Sequence, residues 1–600
     1  MPAGYSNRTD LMTDLDSNLG FNVHTLQAST QWGGNERIKV WIDFNENGLF
    51  TDAGEEVLNE PFTVAIGNLE SFTITIPPGT TLGTKLLRAR AFDAAEDPIN
   101  TGPCDDINYG ETQDYTVNII DSSIACTGAT STWNGTAWSP AAPTNIDIAI
   151  INGNYDTGTN GVIEACELNI SDNQTLTVEA GDYIRVQNNI FVDGTLLVAH
   201  TANVVQVEAN AVVVKNAGTG AVINVEITTP VLQQRDFMVM GSPMDTESRN
   251  GVFNSAFLVL DHTPNNFNPN AHPNIPQGAT NFSDLEGDFW NAYTGTINVG
   301  EGYIIRPQMG YGDPANVAYD MTYAQGTLTN GTVIKSTIYD ATNSPAGTPN
   351  MYANPYPSAI DANQFIQDNG LNALYFWEHL TPPSVIVPGE GLKFDMDDVS
   401  IRNFGGGVAA NNDNPANIPN GVISTAQGFA IKATANGSVS FTNSMRLTTG
   451  NTTLRNNEDQ IDRLWLRVES DAYELANNLM IGFNPQATAG MDTGYDTDRL
   501  ACSVSIYSHL ESGAQRLAIQ TRETFSDAIK IPVGFSTLVE EETSYTISLS
   551  NFEGANLADR SIYIYDNILN ILTDLTQEDY TFSSNKSNQD LRFTVVFEHD

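Results

Sequence analysis

Short apolar runs with a period of two recur from one end of the chain to the other. In Arg37-Ile-Lys-Val-Trp-Ile-Asp43 the side chains of Ile38, Val40 and Ile42 fall on one face, and Phe72-Thr-Ile-Thr-Ile76 and Leu591-Arg-Phe-Thr-Val-Val-Phe597 repeat the pattern. Successive side chains of a strand point to opposite faces, so this alternation describes half-buried strands. Gly, Asn, Asp, Ser and Thr crowd the intervals, where the chain must turn. The 600 residues exceed what one core serves, since cores stop growing at roughly 250 to 300 residues. The pattern therefore predicts an all-β, multidomain chain of β-sandwiches with a short β-solenoid-like segment.

The charge balance narrows the partners. Seventy-two acidic against 26 basic side chains give a formal charge of −46. Such a surface repels phosphate backbones and anionic lipid, which speaks against nucleic acid and membrane surfaces. It suits solubility in a salty medium, and its carboxylates suit hard divalent cations such as Ca2+. No apolar run approaches the ~18 residues needed to cross a bilayer. Of the four cysteines, none sits in a C-x-x-C pair, and Cys126 with Cys166 is the candidate bridge. Met1-Pro-Ala-Gly-Tyr5 reads as the interior of a domain, from which an upstream leader is expected.

Composition divides the chain into a β-sandwich at 1–121, a Ser/Thr/Ala/Pro-rich linker at 122–145, a β-solenoid or small β domain at 146–232, two β domains at 233–340 and 341–454, and a β-sandwich at 455–600. The solenoid reading rests on strands in close succession, from Thr175-Leu-Thr-Val178 to Val212-Val-Val214, each rung burying its apolar face only by stacking on the next. A plain sandwich is the alternative. The two middle domains read as a duplication. Phe237-Met-Val-Met-Gly-Ser-Pro243 answers Met351-Tyr-Ala-Asn-Pro-Tyr-Pro357, Phe289-Trp290 answers Phe376-Trp377, and Gly300-Glu-Gly-Tyr-Ile-Ile-Arg306 answers Ala426-Gln-Gly-Phe-Ala-Ile-Lys432. Their long Asn- and Gly-rich loops, 262–272 and 404–415, are the candidate recognition surface, because ordered loops on a rigid scaffold are where binding concentrates. Trp133 and Trp138 are expected to be buried against the following domain rather than offered to a sugar.

The chemically specific feature is Asp43-Phe-Asn45-Glu-Asn47-Gly48-Leu49-Phe-Thr-Asp52-Ala-Gly-Glu55. Side-chain oxygens recur at every second residue and Gly48 permits a sharp turn, as in the first half of an EF-hand loop. Asp43, Asn45, Asn47 and the Leu49 carbonyl are candidate Ca2+ ligands. Position twelve is Gly54, so the closing carboxylate is expected from Asp52, Glu55 or Glu56. The competing reading is a polar hairpin in which Asn and Gly merely turn the chain.

Val40-Trp-Ile-Asp-Phe-Asn-Glu-Asn-Gly48, Asp52-Ala-Gly-Glu55, Leu87-Arg-Ala-Arg90, Pro103-Cys104 and Tyr109-Gly-Glu-Thr-Gln-Asp-Tyr115 together resemble the GEVED domain of bacterial secreted proteins over most of residues 4–120. The resemblance implies an all-β accessory module without chemistry of its own. The eponymous stretch is Gly110-Glu111-Thr112-Gln113-Asp114 here and departs from the family at two positions, keeping Glu111 and Asp114 as further candidate ion ligands. Farther on, Asn354-Pro-Tyr-Pro-Ser-Ala-Ile-Asp361, Asn478-Leu-Met-Ile-Gly-Phe483, Thr493-Gly-Tyr-Asp-Thr-Asp498, Ile531-Pro-Val-Gly-Phe535 and Asp566 resemble cargo of the type IX secretion system. That resemblance implies export to the cell surface and a sorting domain after Asp600.

Nucleophile-elbow, zinc-helix, Walker and dinucleotide motifs do not occur. Asp261-His262 and His272 are the residues that could act as a base. The sequence thus leads to a non-catalytic, secreted or surface-attached adhesin or scaffold, calcium-stabilised, with an extracellular ligand such as a glycan. A fibre subunit joined through strand edges, and a carbohydrate-active enzyme, are the alternatives.

Overall fold

The computed structural model describes residues 4–17, 22–31, 35–77, 80–95, 101–107, 109–120, 126–232, 236–267, 290–307, 317–378, 380–381, 394, 396–451, 462–510 and 515–598. It is all-β and multidomain, and it falls into two compact units, residues 1–127 with 208–211 and the remainder of the chain. Among the described residues no helix is long and apolar enough to cross a membrane.

The first unit carries β1 (Tyr5–Asp16), β2 (Val23–Ala28), β3 (Glu36–Ile42), β4 (Glu56–Pro61), β5 (Glu70–Thr75), β6 (Gly83–Asp93) and β7 (Gly110–Ile120). Five strands form one sheet in the order β1-β7-β6-β3-β4, and β2 pairs with β5 in a second. The inward residues of both sheets, Ile38, Val40, Ile42, Phe72, Ile74, Val117 and Ile119, make one core. Those on β3 and β5 are the ones the alternation had set on one face.

In the second unit the chain first winds through three parallel ladders in rotation. One holds β8 (Thr130–Trp133), β10 (Ile148–Ile151), β13 (Glu167–Ile170), β16 (Ile190–Val192) and β19 (Val213–Lys215), with β9 (Trp138–Ser139) paired to β8. The next holds β11 (Tyr155–Asp156), β14 (Thr175–Val178), β17 (Thr195–Val198) and β20 (Val222–Thr228), and the third β12 (Ile163–Ala165), β15 (Tyr183–Val186) and β18 (Asn203–Gln206). Like stacks on like: Leu176 pairs with Leu196, and Ile163 with Ile184 and then Val204. The inward side chains of the rungs share one core, which also takes in Met240, Met244 and Tyr303 of the following region. The stretch 122–145 is more than connecting chain, since β8 and β9 extend the first ladder. Trp133 is buried there, its ring 4.9 Å from that of Tyr155 and 5.7 Å from that of Trp138. Cys126 and Cys166 are disulfide-bonded, whereas Cys104 and Cys502 carry free thiols.

Two antiparallel sheets follow. The first has the order β21 (Met238–Met240), β24 (Tyr303–Arg306), β22 (Leu258–His262), β23 (Trp290–Ala292), and β25 (Asp320–Tyr323) joins the edge of β20. After β26 (Val333–Thr337) come β27 (Thr348–Ala353), β28 (Ile360–Asp361), β29 (Leu374–Trp377), β30 (Val399–Asn403), β31 (Gly406–Val408), β32 (Val422–Ile423), β33 (Gly428–Ala433) and β34 (Gly437–Phe441). The main sheet here runs β27-β33-β29-β30-β31, with β26 paired to β34 and β28 to β32. In both sheets the first strand and the second flank the late Gly-aromatic strand, so β21, β22 and β24 correspond to β27, β29 and β33. The aromatic pairs do not correspond. Trp377 ends β29, but Trp290 begins β23, one strand farther out, and Phe289 lies outside the described residues.

The last region is one sheet with the path β43-β42-β45-β40-β38-β39-β36-β35-β41-β44, where β35 to β45 are Arg463–Ser470, Leu475–Phe483, Thr497–Asp498, Val504–Ser508, Leu517–Arg522, Ile531–Thr537, Thr543–Glu553, Tyr563–Asp566, Ile571–Asp574, Tyr580–Ser584 and Ser587–Val596, and β37 attaches to β39. Phe582 on β44 and Ile564 on β42, from opposite ends of the path, share one core. The sheet therefore curls over until its two ends face each other.

Candidate functional site

The acidic loop joins β3 to β4. A register shift in that pair between Val40 and Trp41 twists the hairpin just before the loop begins. Its base is closed by Ile42 N–H donating to the Glu55 carbonyl at 3.0 Å, and Asp43 N–H ties it to the Leu86 carbonyl of β6 at 3.0 Å. Phe50 is buried beneath the Arg88 guanidinium, 5.0 Å from the ring centre, and fixes the far side. Glu46 and Gly48 take positive φ, which lets the chain double back within a few residues.

Within this frame the side chains converge as the spacing implies. The amides of Asn45 and Asn47 both donate to Oδ2 of Asp52, at 2.7 and 2.6 Å. Asp43 accepts from the N–H groups of Asn47 (3.2 Å) and Gly48 (2.9 Å), and Glu55 from those of Phe44 and Asp52, each at 3.2 Å. Asp43 and Glu55 are buried at 5% and 2% exposure. Burial, with Asp52 and Asp43 as like charges nearby, raises the Glu55 carboxyl above its ordinary range against the pull of two backbone N–H groups. Asp52 is lowered by the two amides. Leu49 places its side chain in solvent and its N–H on the Asn47 oxygen at 2.8 Å.

Hard oxygen donors from Asp43, Asn45, Asn47, Asp52 and Glu55 thus surround one small region, and none of the three carboxylates forms an ion pair among the described residues. That donor set fits a Ca2+ ion. In the present arrangement the amide N–H groups stand where a cation would, and among the described residues no three acidic, histidine or cysteine groups are grouped closely enough to hold a metal as they lie. Turning the two amides over would present their oxygens beside Asp52, which is repulsive without a cation between them. Glu56 faces away, paired with Lys39 at 2.8 Å.

The acids of the 110–114 stretch lie elsewhere. Asp114 is held by both Arg88 nitrogens at 2.7 Å and by the Tyr5 hydroxyl at 2.9 Å, a structural clamp between β1, β6 and β7, and Glu111 accepts from Gln113. His262 is half-buried, loss of solvent lowers it to about 4, and it packs 4.9 Å from the Trp290 ring, while His272 lies outside the described residues.

A second candidate could not be read from the sequence. In the second unit a cavity of about 390 Å³ opens where the coil meets the two middle sheets, lined among others by His200, Met238, Trp377, Asp413, Asn417 and Gln427. Asp413 belongs to the 404–415 loop expected to carry recognition. Residues 268–272 of the companion loop lie outside the described residues.

No curated protein matches this chain, and no solved structure does. The model of the GEVED domain matches residues 37–118, which cover the acidic loop and the Arg88–Asp114 clamp. A second model, described as a domain of unknown function, DUF8693, matches residues 125–597, most of the chain, so the protein belongs to the DUF8693 family and carries a GEVED domain ahead of it.

Proposed function

We propose that the protein is a non-catalytic, secreted or cell-surface binding protein whose GEVED domain is stabilised by Ca2+ and whose DUF8693 region carries the ligand-binding face. The observation that supports this most is the loop at Asp43–Glu55. Two buried carboxylates and a third beside them, without a cationic side chain, leave negative charge that a bound cation would balance. Asp43, Asn45, Asn47, Asp52, Glu55 and the Leu49 carbonyl would hold the ion, and its role is structural. An extracellular setting rich in calcium, the acidic surface and the resemblance to type IX secretion cargo agree with one another in this reading. The partner class is an extracellular glycan or cell surface.

The experiment is thermal unfolding of the whole chain in millimolar calcium and in chelator. An ion that binds only the folded state adds stability by mass action, about 2.7 kcal/mol at a hundredfold excess over Kd. An upward shift with calcium, reversed by chelator and not reproduced by magnesium, is the expected result. An unchanged transition would reduce the loop to a hairpin turn. Sugar release from a polysaccharide panel would overturn the non-catalytic assignment.

A further inference from the structure

We propose that the cavity bordered by His200, Trp377, Asn417 and Gln427 binds a neutral saccharide of one or two rings. This rests on the reading of the chain as an extracellular binding protein and gives that reading a place and a ligand chemistry. The volume, about 390 Å³, falls within the range of small-molecule pockets.

The polar groups of the wall decide the class. Thr228 N–H donates to Nδ1 of His200 at 3.2 Å. A nitrogen that accepts carries no proton, so the neutral ring bears its hydrogen on Nε2, and burial favours that neutral form. Gln427 spends its oxygen on Ser424 N–H at 2.8 Å, which leaves its NH2 as a donor without a partner among the described residues. Asn417 does the reverse. Its NH2 goes to Asp413 at 2.8 Å, leaving its oxygen as an acceptor. The residues lining the cavity therefore carry two donors and one acceptor beside the half-buried Trp377 indole, which stacks on Phe237 at 4.7 Å and meets the Phe394 ring edge-on at 5.9 Å.

Other classes fit less well. An anion finds no Lys or Arg among the described lining residues, and meets the Glu226, Glu378 and Asp413 side chains instead. An organic cation would be drawn to those acids, which keep their charge while Asp413 accepts from Asn414 N–H at 2.7 Å and from Asn417, and Glu378 from the Ser400 hydroxyl at 2.7 Å. Against it stand the His200 and Gln427 donors, and tetramethylammonium is the probe that decides between the two classes. A purely apolar ligand would strip water from those donors without replacing the hydrogen bonds. A sugar ring offers hydroxyls that both donate and accept, and a C–H face that lies against indole.

The test is calorimetric titration of the intact chain, in calcium, with glucose, galactose, mannose, N-acetylglucosamine and their disaccharides, with tetramethylammonium and inorganic phosphate as charged probes. At least one neutral sugar should bind, and Trp377→Ala should weaken it tenfold or more. Since Trp377→Ala also removes a partner of Phe237, Gln427→Glu is the second variant. It keeps the acceptor for Ser424 N–H and deletes the donor, and it should weaken sugar binding with an unchanged melting temperature. Binding of tetramethylammonium or phosphate alone would overturn the assignment. So would a sugar held equally well by both variants, or no sugar bound at all. In those cases the calcium shift still stands or falls separately, and only sugar release would overturn the broader reading.

Discussion

Arg446 reaches back 242 residues to donate to the carbonyl of Val204 at 2.5 Å, joining the end of the second middle sheet to the third ladder of the coil. Its guanidinium also lies 4.8 Å from the ring centre of Tyr356 and gives a 2.7 Å bond to Asn330. The last carbonyls of a coil ladder need donors once they are covered, and a planar fork supplies several at once. Asn451 does the same for the Ala202 carbonyl at 2.7 Å, and Asn203 of the coil donates the other way, to the Thr448 carbonyl at 3.3 Å.

Arg446→Met should therefore lower the stability of the DUF8693 region by about 2 to 4 kcal/mol, because buried acceptors lose their partners while the side-chain volume is kept. Arg446→Lys should rescue little of it, since an ammonium cannot hold both directions. Thermal unfolding of the two variants checks this, and equal stability of Arg446→Lys and the parent would refute the fork argument.

For the acidic loop the sign of the pH dependence is informative. Glu55 has a folded-state pKa above the unfolded value of about 4.3, so the folded state binds more protons and its stability falls as pH rises from there. In chelator, the contribution of Glu55 to the stability of the GEVED domain should decline from pH 4.5 to pH 7. Calcium should abolish that decline, and Glu55→Gln should flatten it in chelator while removing the calcium shift. Asp43→Ala is a poorer probe, because Asp43 also accepts from two backbone N–H groups and its loss costs stability with or without the ion. A decline that persists in Glu55→Gln would show that another group titrates.

The period of two placed the strands because each alternation, such as Ile38, Val40 and Ile42, records which face meets a core. The same logic exposed the acidic loop, whose ligand candidates are neighbours in sequence. The rest depends on distance along the chain. Nothing near Asp114 announces Arg88, 26 residues before it, as the partner that takes it away from the loop. The likeness of Phe289-Trp290 to Phe376-Trp377 was compositional, and one strand of sheet separates their places. The cavity gathers His200, Trp377 and Gln427 from three distant stretches, and no periodicity marks such a meeting.

Leu196 tests the coil. It is fully buried on β17 between Leu176 on the preceding rung and Ile223 on the next. Leu196→Ala should cost about 2 to 5 kcal/mol, since the stacked rungs on both sides cannot collapse into the space. Val214→Ala, on the exposed face of β19, should be near neutral in the same unfolding experiment. Similar losses at both positions would mean that the interior is not close-packed.

Asp566 makes the opposite pH prediction to Glu55. Burial alone would raise its carboxyl, but the N–H groups of Leu569 and Ile568, the Tyr580 hydroxyl and Arg592 together hold it below the ordinary value. Arg592 meets it at 3.0 Å, with side chains 5% and 0% exposed, and the guanidinium lies 4.2 Å from the Phe582 ring centre. A depressed folded-state pKa gives stability that is present above the unfolded value of about 3.9 and is lost as pH falls through the folded one. The DUF8693 region should thus weaken on acidification below about pH 4, where the raised pKa of Glu55 favours the folded GEVED domain. Asp566→Asn keeps the shape but leaves Arg592 as a buried charge facing an amide, and should cost about 3 to 5 kcal/mol at neutral pH. In that variant the acid-induced loss should shrink, measured as the pH dependence of the unfolding of the DUF8693 region. An unchanged slope would place the titrating carboxylate elsewhere in the sheet.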